Sequence, residues 1–286
     1  MITIAIPTYN RGAIVVETLR RLFALTPPAD AIIVVDQSPE ANPELAHWQA
    51  EGKIRHLRLD APSIPHAMNV ALQEASTPLV LFLDDDIEPS PTLIAAHTES
   101  HRDHRATAVV GQILQPGEVP MHIDQPVDDL EFRFHSDRGR FLTNVMAGNL
   151  SVDRERALAI GGFDENFIGA AYRFETEFAI RLAAAGGTIW FEPRASIHHL
   201  KLATGGLRSF GDHRSTASPV HSAGDYYFAI LHRPPLWRYA LTRIRRNVAT
   251  RYHLRHPWAI PTKLVGEWRG LLLARRLARR GPRLLS

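Results

Sequence analysis

Cysteine is absent from this chain of 286 residues. Its absence excludes disulfides and thiolate metal sites, so any metal would be held by Asp, Glu, His or carbonyl oxygen. No stretch approaches the roughly eighteen apolar residues of a membrane span. The start, Met1-Ile-Thr-Ile-Ala-Ile-Pro7, lacks the basic region and long apolar segment of a signal peptide. A cytoplasmic location is therefore expected, with attachment to a membrane only from its surface. Two phosphate-binding patterns are also missing: neither GxGxxG nor GxxxxGK[ST] follows any candidate strand. With 45% hydrophobic and 22% charged residues the chain is not disordered, and it can bury one large domain or two small ones.

What is present is a short apolar run, Leu79-Val-Leu-Phe-Leu83, ending in Asp84-Asp85-Asp86. The run reads as a buried strand, which places the acids at its C-terminal end, where open α/β sheets bind ligands. Three adjacent carboxylates repel one another, so they call for a hard cation such as Mg2+ or Mn2+, or for a raised pKa. A solvated turn in which Asp86 or Ser90 caps a helix starting near Pro91 is the simpler alternative.

Around that run, strands and helices alternate. Ile2–Ile6, Ala31–Val35, Ile54–Leu59 and Leu79–Leu83 are rich in β-formers, and helical patterns surround Ala13–Leu25, Pro43–Glu51 and Pro65–Ala75. This order predicts an α/β fold with a mostly parallel, Rossmann-like sheet flanked by helices.

Charge divides the chain. Residues 225–286 carry fourteen Arg and Lys against two acids, Asp225 and Glu267, a net +12, whereas residues 1–224 carry nineteen against twenty-eight, a net −9. In the basic part, Trp237, Tyr239, Leu241, Ile244, Val248 and Tyr252 recur at helical spacing, as do Trp268, Leu271, Leu272, Leu273 and Leu277. Basic amphipathic helices with Trp suit an anionic bilayer surface. The competing expectation is that their apolar faces pack on the body and leave the arginines solvated. A nucleic-acid partner is not expected, because no recognised binding module accompanies the charge.

Several ordered motifs together resemble family 2 glycosyltransferases, whose fold is called GT-A. They are Ile6-Pro-Thr-Tyr-Asn-Arg11, Val34-Val-Asp36, Asn69, Leu83-Asp-Asp-Asp86, Gly148-Asn-Leu-Ser151, Gly161-Gly-Phe-Asp-Glu165, Phe174-Glu-Thr-Glu177 running into Arg181-Leu182, Gly186-Gly-Thr-Ile-Trp-Phe-Glu-Pro193 and His198-His199. The resemblance covers roughly residues 2–208. It implies a GT-A domain over 1–224, with a donor half to about residue 110 and an acceptor half from 111, followed by a basic helical tail over 225–286.

The resemblance also implies roles. Asp84 and Asp86 match the metal motif, with Asp86 the direct ligand, Asp84 serving ribose or metal-bound water, and Asp85 lying between them on the donor. His199 matches a late histidine brought to the metal or diphosphate, for which His198 could substitute. Pro7, Thr8, Tyr9, Arg11, Asp36 and Asn69 fall to nucleoside recognition, Asn149 to the donor sugar, and Arg208, in Thr204-Gly-Gly-Leu-Arg208, to a loop closing over the diphosphate. Glu175 aligns with the general base of an inverting transfer, where other members carry aspartate. Asp164 and Glu177 fall on the acceptor side, and Arg181 would pair with Glu177 at the surface. Met68 stands where members often have arginine, so UDP, dTDP and GDP all remain open. The implied activity is metal-dependent transfer from a nucleotide-sugar to a glycan or lipid-linked acceptor, with Mg2+ or Mn2+. Rival readings are a nucleotidyltransferase, for which Asn10-Arg11-Gly12 is a poor phosphate loop, and an idle scaffold with the same fold.

Overall fold

The computed structural model describes residues 1–123, 132–202, 205–206, 212–233 and 235–286. Its first hundred residues alternate as the sequence suggests: β1 (Ile2–Thr8), α1 (Gly12–Phe23), β2 (Ala31–Asp36), α2 (Pro43–Ala50), β3 (Arg55–Arg58), α3 (Ile64–Glu74) and β4 (Leu79–Leu83). The helix starts follow local chemistry. Asn42 accepts from the amides of Glu44 and Leu45 with Pro43 at the first helical position, and Ser63 accepts from His66 N. After the acids the chain forms a short strand, β5 (Ile87–Pro89), before α4 (Leu93–Asp103), whose cap position is Thr92. Neither Asp86 nor Ser90 is that cap: the Asp86 carboxylate accepts from Leu202 N, and Ser90 meets α4 through its carbonyl, which accepts from Leu93 N.

The remaining elements are β6 (Ala108–Leu114), β7 (Arg140–Leu142), β8 (Asn149–Asp153), α5 (Arg154–Ala159), α6 (Phe174–Ala184), β9 (Ile189–His199), a 3-10 turn at Pro219–His221, and helices α7 (Ala223–His232), α8 (Leu236–Asn247), α9 (Arg251–Arg255) and α10 (Ala259–Arg280). One sheet runs β3-β2-β1-β4-β8-β6-β9-β5, with β7 added to β9. The first four strands in that order are parallel, and β8 enters antiparallel between β4 and β6. Ile4, Ile6, Val34, Val35, Leu81 and Phe82 are buried within it, which is why the parallel strands read as unbroken apolar runs.

Two registers position the site. Leu83 pairs with Asn149, so Gly148 meets Asp84, whose amide donates to Gly148 O at 3.2 Å. Ile87 pairs with His199, and Leu200 N donates to Asp86 O at 2.9 Å. Sheet pairing thus draws residues 148 and 199 to the end of β4.

The expected boundary between residues 224 and 225 needs correction. It falls inside α7, whose Tyr226, Tyr227 and Phe228 are buried in the main core. The chain beyond α10 returns to the body: Leu285 N donates to Gly161 O, Glu165 N to Arg283 O, and Arg283 N to Asp164 Oδ1. Burial of α7 and these hydrogen bonds pack the C-terminal helical tail against the sheet domain.

Candidate functional site

A cavity of about 500 Å3 opens at the C-terminal ends of β1, β2 and β4. Of the residues singled out from sequence, Pro7, Thr8, Tyr9, Arg11, Asp84, Asp85, Asp86, Glu175 and His199 line it. The three acids differ in surroundings. Asp84 is half exposed to the cavity. Asp85 is buried, accepting from Thr8 Oγ1 at 2.7 Å and from Arg11 Nη1 at 2.8 Å. Burial pushes its carboxyl up to about 6, against the opposing pull of Arg11 and Thr8. Asp86 is fully buried; its Oδ2 accepts from Leu202 N at 3.0 Å, and its Oδ1 lies 3.2 Å from Arg11 Nη1 and 3.1 Å from His199 Nε2. Burial opposes ionisation of Asp86, but His199, Arg11 and the Leu202 amide outweigh it and hold the group below the usual carboxylate range.

His199 is raised for the reciprocal reason: burial lowers it, and Asp86 with Asp84 more than compensate. Its Nδ1 lies 3.1 Å from Gln115 Oε1, which can only accept, so Nδ1 carries a proton and Nε2 is the atom turned to the acids. His198, its neighbour, points to the opposite face of β9 and is exposed. Arg11 also donates to Leu202 O at 2.9 Å, while Gly206 N donates to Tyr9 O. The segment after β9 is thereby held over the first strand. Gly205, at φ +70, approaches so closely that a Cβ would lie 2.4 Å from Asn10 O. At Gly148 a Cβ would lie 2.3 Å from Asp84 Oδ2, so only glycine lets that carboxylate take its place.

Among the described residues no three His, Asp or Glu side chains are arranged as a ready metal cage. The donor set at the acids nevertheless fits a hard divalent ion. Asp86 Oδ1 is buried without a well-aligned hydrogen bond, Asp84 presents carboxylate oxygen to the cavity, and one imidazole nitrogen adjoins both. Mg2+-type sites characteristically take one or two carboxylates and complete their shell with phosphate and water.

Other expected site residues are placed elsewhere, for identifiable reasons. Asp36 ends β2 with its carboxylate turned to Ser38 N and His56, and the next side chain, Gln37, faces the cavity in its stead. Asn69 is buried and fastens α3 to the turn at 161–165: its amide donates to Phe163 O and Glu165 Oε1, and its oxygen accepts from Phe163 N. Asn149 lies inside the sheet, bonded to His97, Gln112 O and Ala195 O. Asp164 is closed off by Tyr227 Oη, Asn166 N and Arg283 N. Glu177 lies two residues, about 200° of helix, from Glu175 and faces away from the cavity. Arg181 grips it with two bonds of 2.6 and 2.8 Å and donates onward to Ile160 O and Gly162 O, so the pair braces a turn rather than decorating the surface. Arg208 lies outside the described residues.

Sequence reasoning missed Gln37, Gln115, Met146 and Lys201, all of which line the cavity. Gln37 had a usable signal, since side chains alternate along a strand and either it or Asp36 had to face the ligand side. Its Oε1 accepts from Ser63 N at 2.6 Å, leaving Nε2 buried with no partner among the described residues.

The model of the family described as glycosyl transferase family 2 matches residues 3–157. The chain belongs to glycosyl transferase family 2. A curated relative, the succinoglycan biosynthesis protein ExoM of Rhizobium meliloti (strain 1021), is 29% identical over 213 residues, 69% of this chain and 66% of that protein. This glycosyl transferase family 2 chain thus spans just under two thirds of that relative's length. Among solved structures, residues 1–349 of S. aureus TarS with UDP-GlcNAc align at TM-score 0.62 and 15% identity, covering 97% of this chain and 83% of that one. The mannosyltransferase PcManGT of Pyrobaculum calidifontis, in complex with GDP-Man and Mn2+, aligns at TM-score 0.57 and 20% identity, covering 98% and 79%. The fold is therefore the GT-A fold.

Proposed function

We propose that this chain transfers a sugar from a nucleoside-diphosphate donor to a hydroxyl of a glycan or lipid-linked acceptor, with inversion at the anomeric carbon. The observation that carries the reading is one cavity in which Asp84, Asp86, His199 and Arg11 converge at the strand ends while Glu175 lines the same space. Glu175 stands in the first turn of α6. Its carboxylate takes the proton of the acceptor hydroxyl as that oxygen bonds to the anomeric carbon. The bond from that carbon to the diphosphate oxygen breaks on the opposite side, and its electron pair leaves with the diphosphate. A Mg2+ or Mn2+ ion held by Asp84 and Asp86, with His199 beside them, would neutralise charge on the leaving diphosphate.

Arg11 fixes Asp85 and Asp86 and donates to Leu202 O, while Lys201 brings a second cation to the cavity edge. The base lies against Pro7, Thr8, Ile64 and Met68, where Gln37 Nε2 offers a hydrogen-bond donor. That donor favours a carbonyl-bearing base, consistent with UDP, dTDP or GDP. The acceptor side is read as a lipid-linked or surface-glycan precursor met at the cytoplasmic face of a membrane, to which the basic helices dock peripherally.

Calorimetric titration with UDP, dTDP and GDP, each with Mn2+ and with EDTA, tests the donor site. One nucleotide should bind only with metal, and Asp86→Ala should abolish that binding. Metal-independent binding, or binding retained in Asp86→Ala, would refute the assignment of the acids.

A further inference from the structure

Helices α8, α9 and α10 bury charged or polar side chains while leaving large apolar ones exposed. In α10, Lys263 and Glu267 are 4% and 3% exposed, whereas Trp268 is 58% exposed and Leu264 and Val265 also face outward. In α8, Arg243 is 8% exposed while Trp237 is 60% exposed, with Leu241 one turn beyond it. At α9, His253 is buried against Arg214 O, and Leu254 and then Trp258 are exposed.

This arrangement is fixed by an ionic core rather than by chance. Arg243 donates to Glu267 Oε2 at 2.7 Å and to His221 O at 2.9 Å, and pairs with Asp225; Lys263 pairs with Glu267 at 3.0 Å. Close approach locks the same face of α10: a Cβ at Gly266 would lie 2.6 Å from Thr216 O, and one at Gly270 would lie 2.0 Å from Ser222 Oγ. With Gly266, Gly270 and Ala274 turned inward, Leu264 and Trp268 fall on the far side of the helix.

From this we infer that the outward faces of α8, α9 and α10 form a docking surface for an anionic phospholipid bilayer, which Trp237, Trp258 and Trp268 enter at headgroup depth. The inference deepens the peripheral docking proposed above, and rests on it, by naming the face and the lipid charge. Charge complementarity selects the occupant. Both acids of residues 225–286, Asp225 and Glu267, are taken up by Arg243, Arg173 and Lys263, so the outer surface of this part carries arginine with no exposed acid opposing it. Arg245, Arg246, Arg255, Arg269, Arg275 and Arg276 are exposed on the same three helices. Long cationic stems beside amphipathic rings match a headgroup layer, in which the rings take the boundary and the guanidinium groups reach phosphate. Among the described residues no helix is long and apolar enough to cross a membrane, so contact is made in the plane of the surface.

The test uses the full chain and vesicles of phosphatidylcholine alone or with phosphatidylglycerol. Its other tryptophans, Trp48 and Trp190, are not exposed, so tail emission reports contact directly. The full chain should sediment with the anionic vesicles only, release at high salt, and shift its tryptophan emission to the blue on binding. Trp237→Ser/Trp258→Ser/Trp268→Ser and Arg245→Glu/Arg275→Glu/Arg276→Glu should each lower partitioning by about tenfold or more. Both should keep the Tm and the metal-dependent nucleotide titration of the parent. Equal partitioning of parent and variants, no sedimentation, or a fall in Tm for the tryptophan variant would overturn the proposal. So would a dimer in solution that the tryptophan variant dissolves, since a second copy would then cover the face. Because nucleotide binding is read without vesicles, failure here leaves the donor-site reading intact, and the converse also holds.

Discussion

Replacing Gln37 by glutamate separates two functions of one side chain. Gln37 Oε1 accepts from Ser63 N at 2.6 Å and so holds the start of α3, while Nε2 is a buried donor in the cavity wall. Glutamate keeps an oxygen for Ser63 and puts an acceptor where the donor was, so α3 stays seated. A base carbonyl that had accepted from Nε2 would then face another oxygen. Leaving one buried polar group unsatisfied costs about 1–3 kcal/mol, which corresponds to about a 5- to 150-fold loss of affinity. Calorimetry with UDP and CDP reads this cleanly, because the two differ by a carbonyl or an amino group at the base edge. If the preferred base is uracil, Gln37→Glu should weaken UDP by that factor and leave CDP unchanged or improved, with Tm held. Equal loss for UDP and CDP would show that Nε2 does not read the C4 position of the base, and no loss for any of UDP, dTDP and GDP would show that it does not read the base at all.

Gly148→Ala should displace the Asp84 carboxylate and lower metal-dependent nucleotide affinity at least about tenfold while the sheet stays folded, since the clash is with one side chain; titration with Mn2+ checks it, and parent-like affinity would refute the close fit. Glu175→Gln should cut kcat by about 100-fold or more with little change in donor affinity, the signature of a lost general base, and a change in affinity alone would move Glu175 out of the chemistry. His97 offers a stability test. It is fully buried between Ser151 Oγ and Asn149 Oδ1, and burial pushes it down to about 4. Its unfolded counterpart takes a proton near pH 6.5, so stability falls as pH drops from about 6.5 to about 4, by about 3 kcal/mol in all. Urea midpoints for His97→Gln should fall less steeply across that window than those of the parent; identical slopes would remove His97 as the titrating group.

Much of the frame could be read from the chain because parallel, doubly covered strands write themselves as apolar runs, as Ile2–Ile6 and Leu79–Leu83 did. The acids at 84–86 were legible for the same reason: the run fixes where the strand stops. Asn69, Asn149 and Asp164 could not be placed that way. Each is a polar residue in a turn-rich or ligand-like setting, and only its partners, at residues 163–165, 97 and 283, show that its hydrogen-bonding capacity is used inside the fold. The basic helices misled in a different manner. Their apolar spacing is real, but buried Arg243 of α8 finds its carboxylates on other helices, Asp225 on α7 and Glu267 on α10, and no local pattern reveals a partner that arrives through packing.

The return of residues 283–285 has a consequence for how the molecule is made. The turn at 161–165 is bonded to a segment as much as 124 positions further along, where Leu285 N donates to Gly161 O, and that turn in turn anchors Asn69 and His66 of α3, whose Ile64 and Met68 wall the cavity. Contacts so distant in sequence close late, after the loop between them has been ordered. The α3 wall of the donor cavity is therefore expected to settle after the early βαβ units, and the amides of Glu165 and Leu285 should open together in hydrogen exchange although 120 positions separate them.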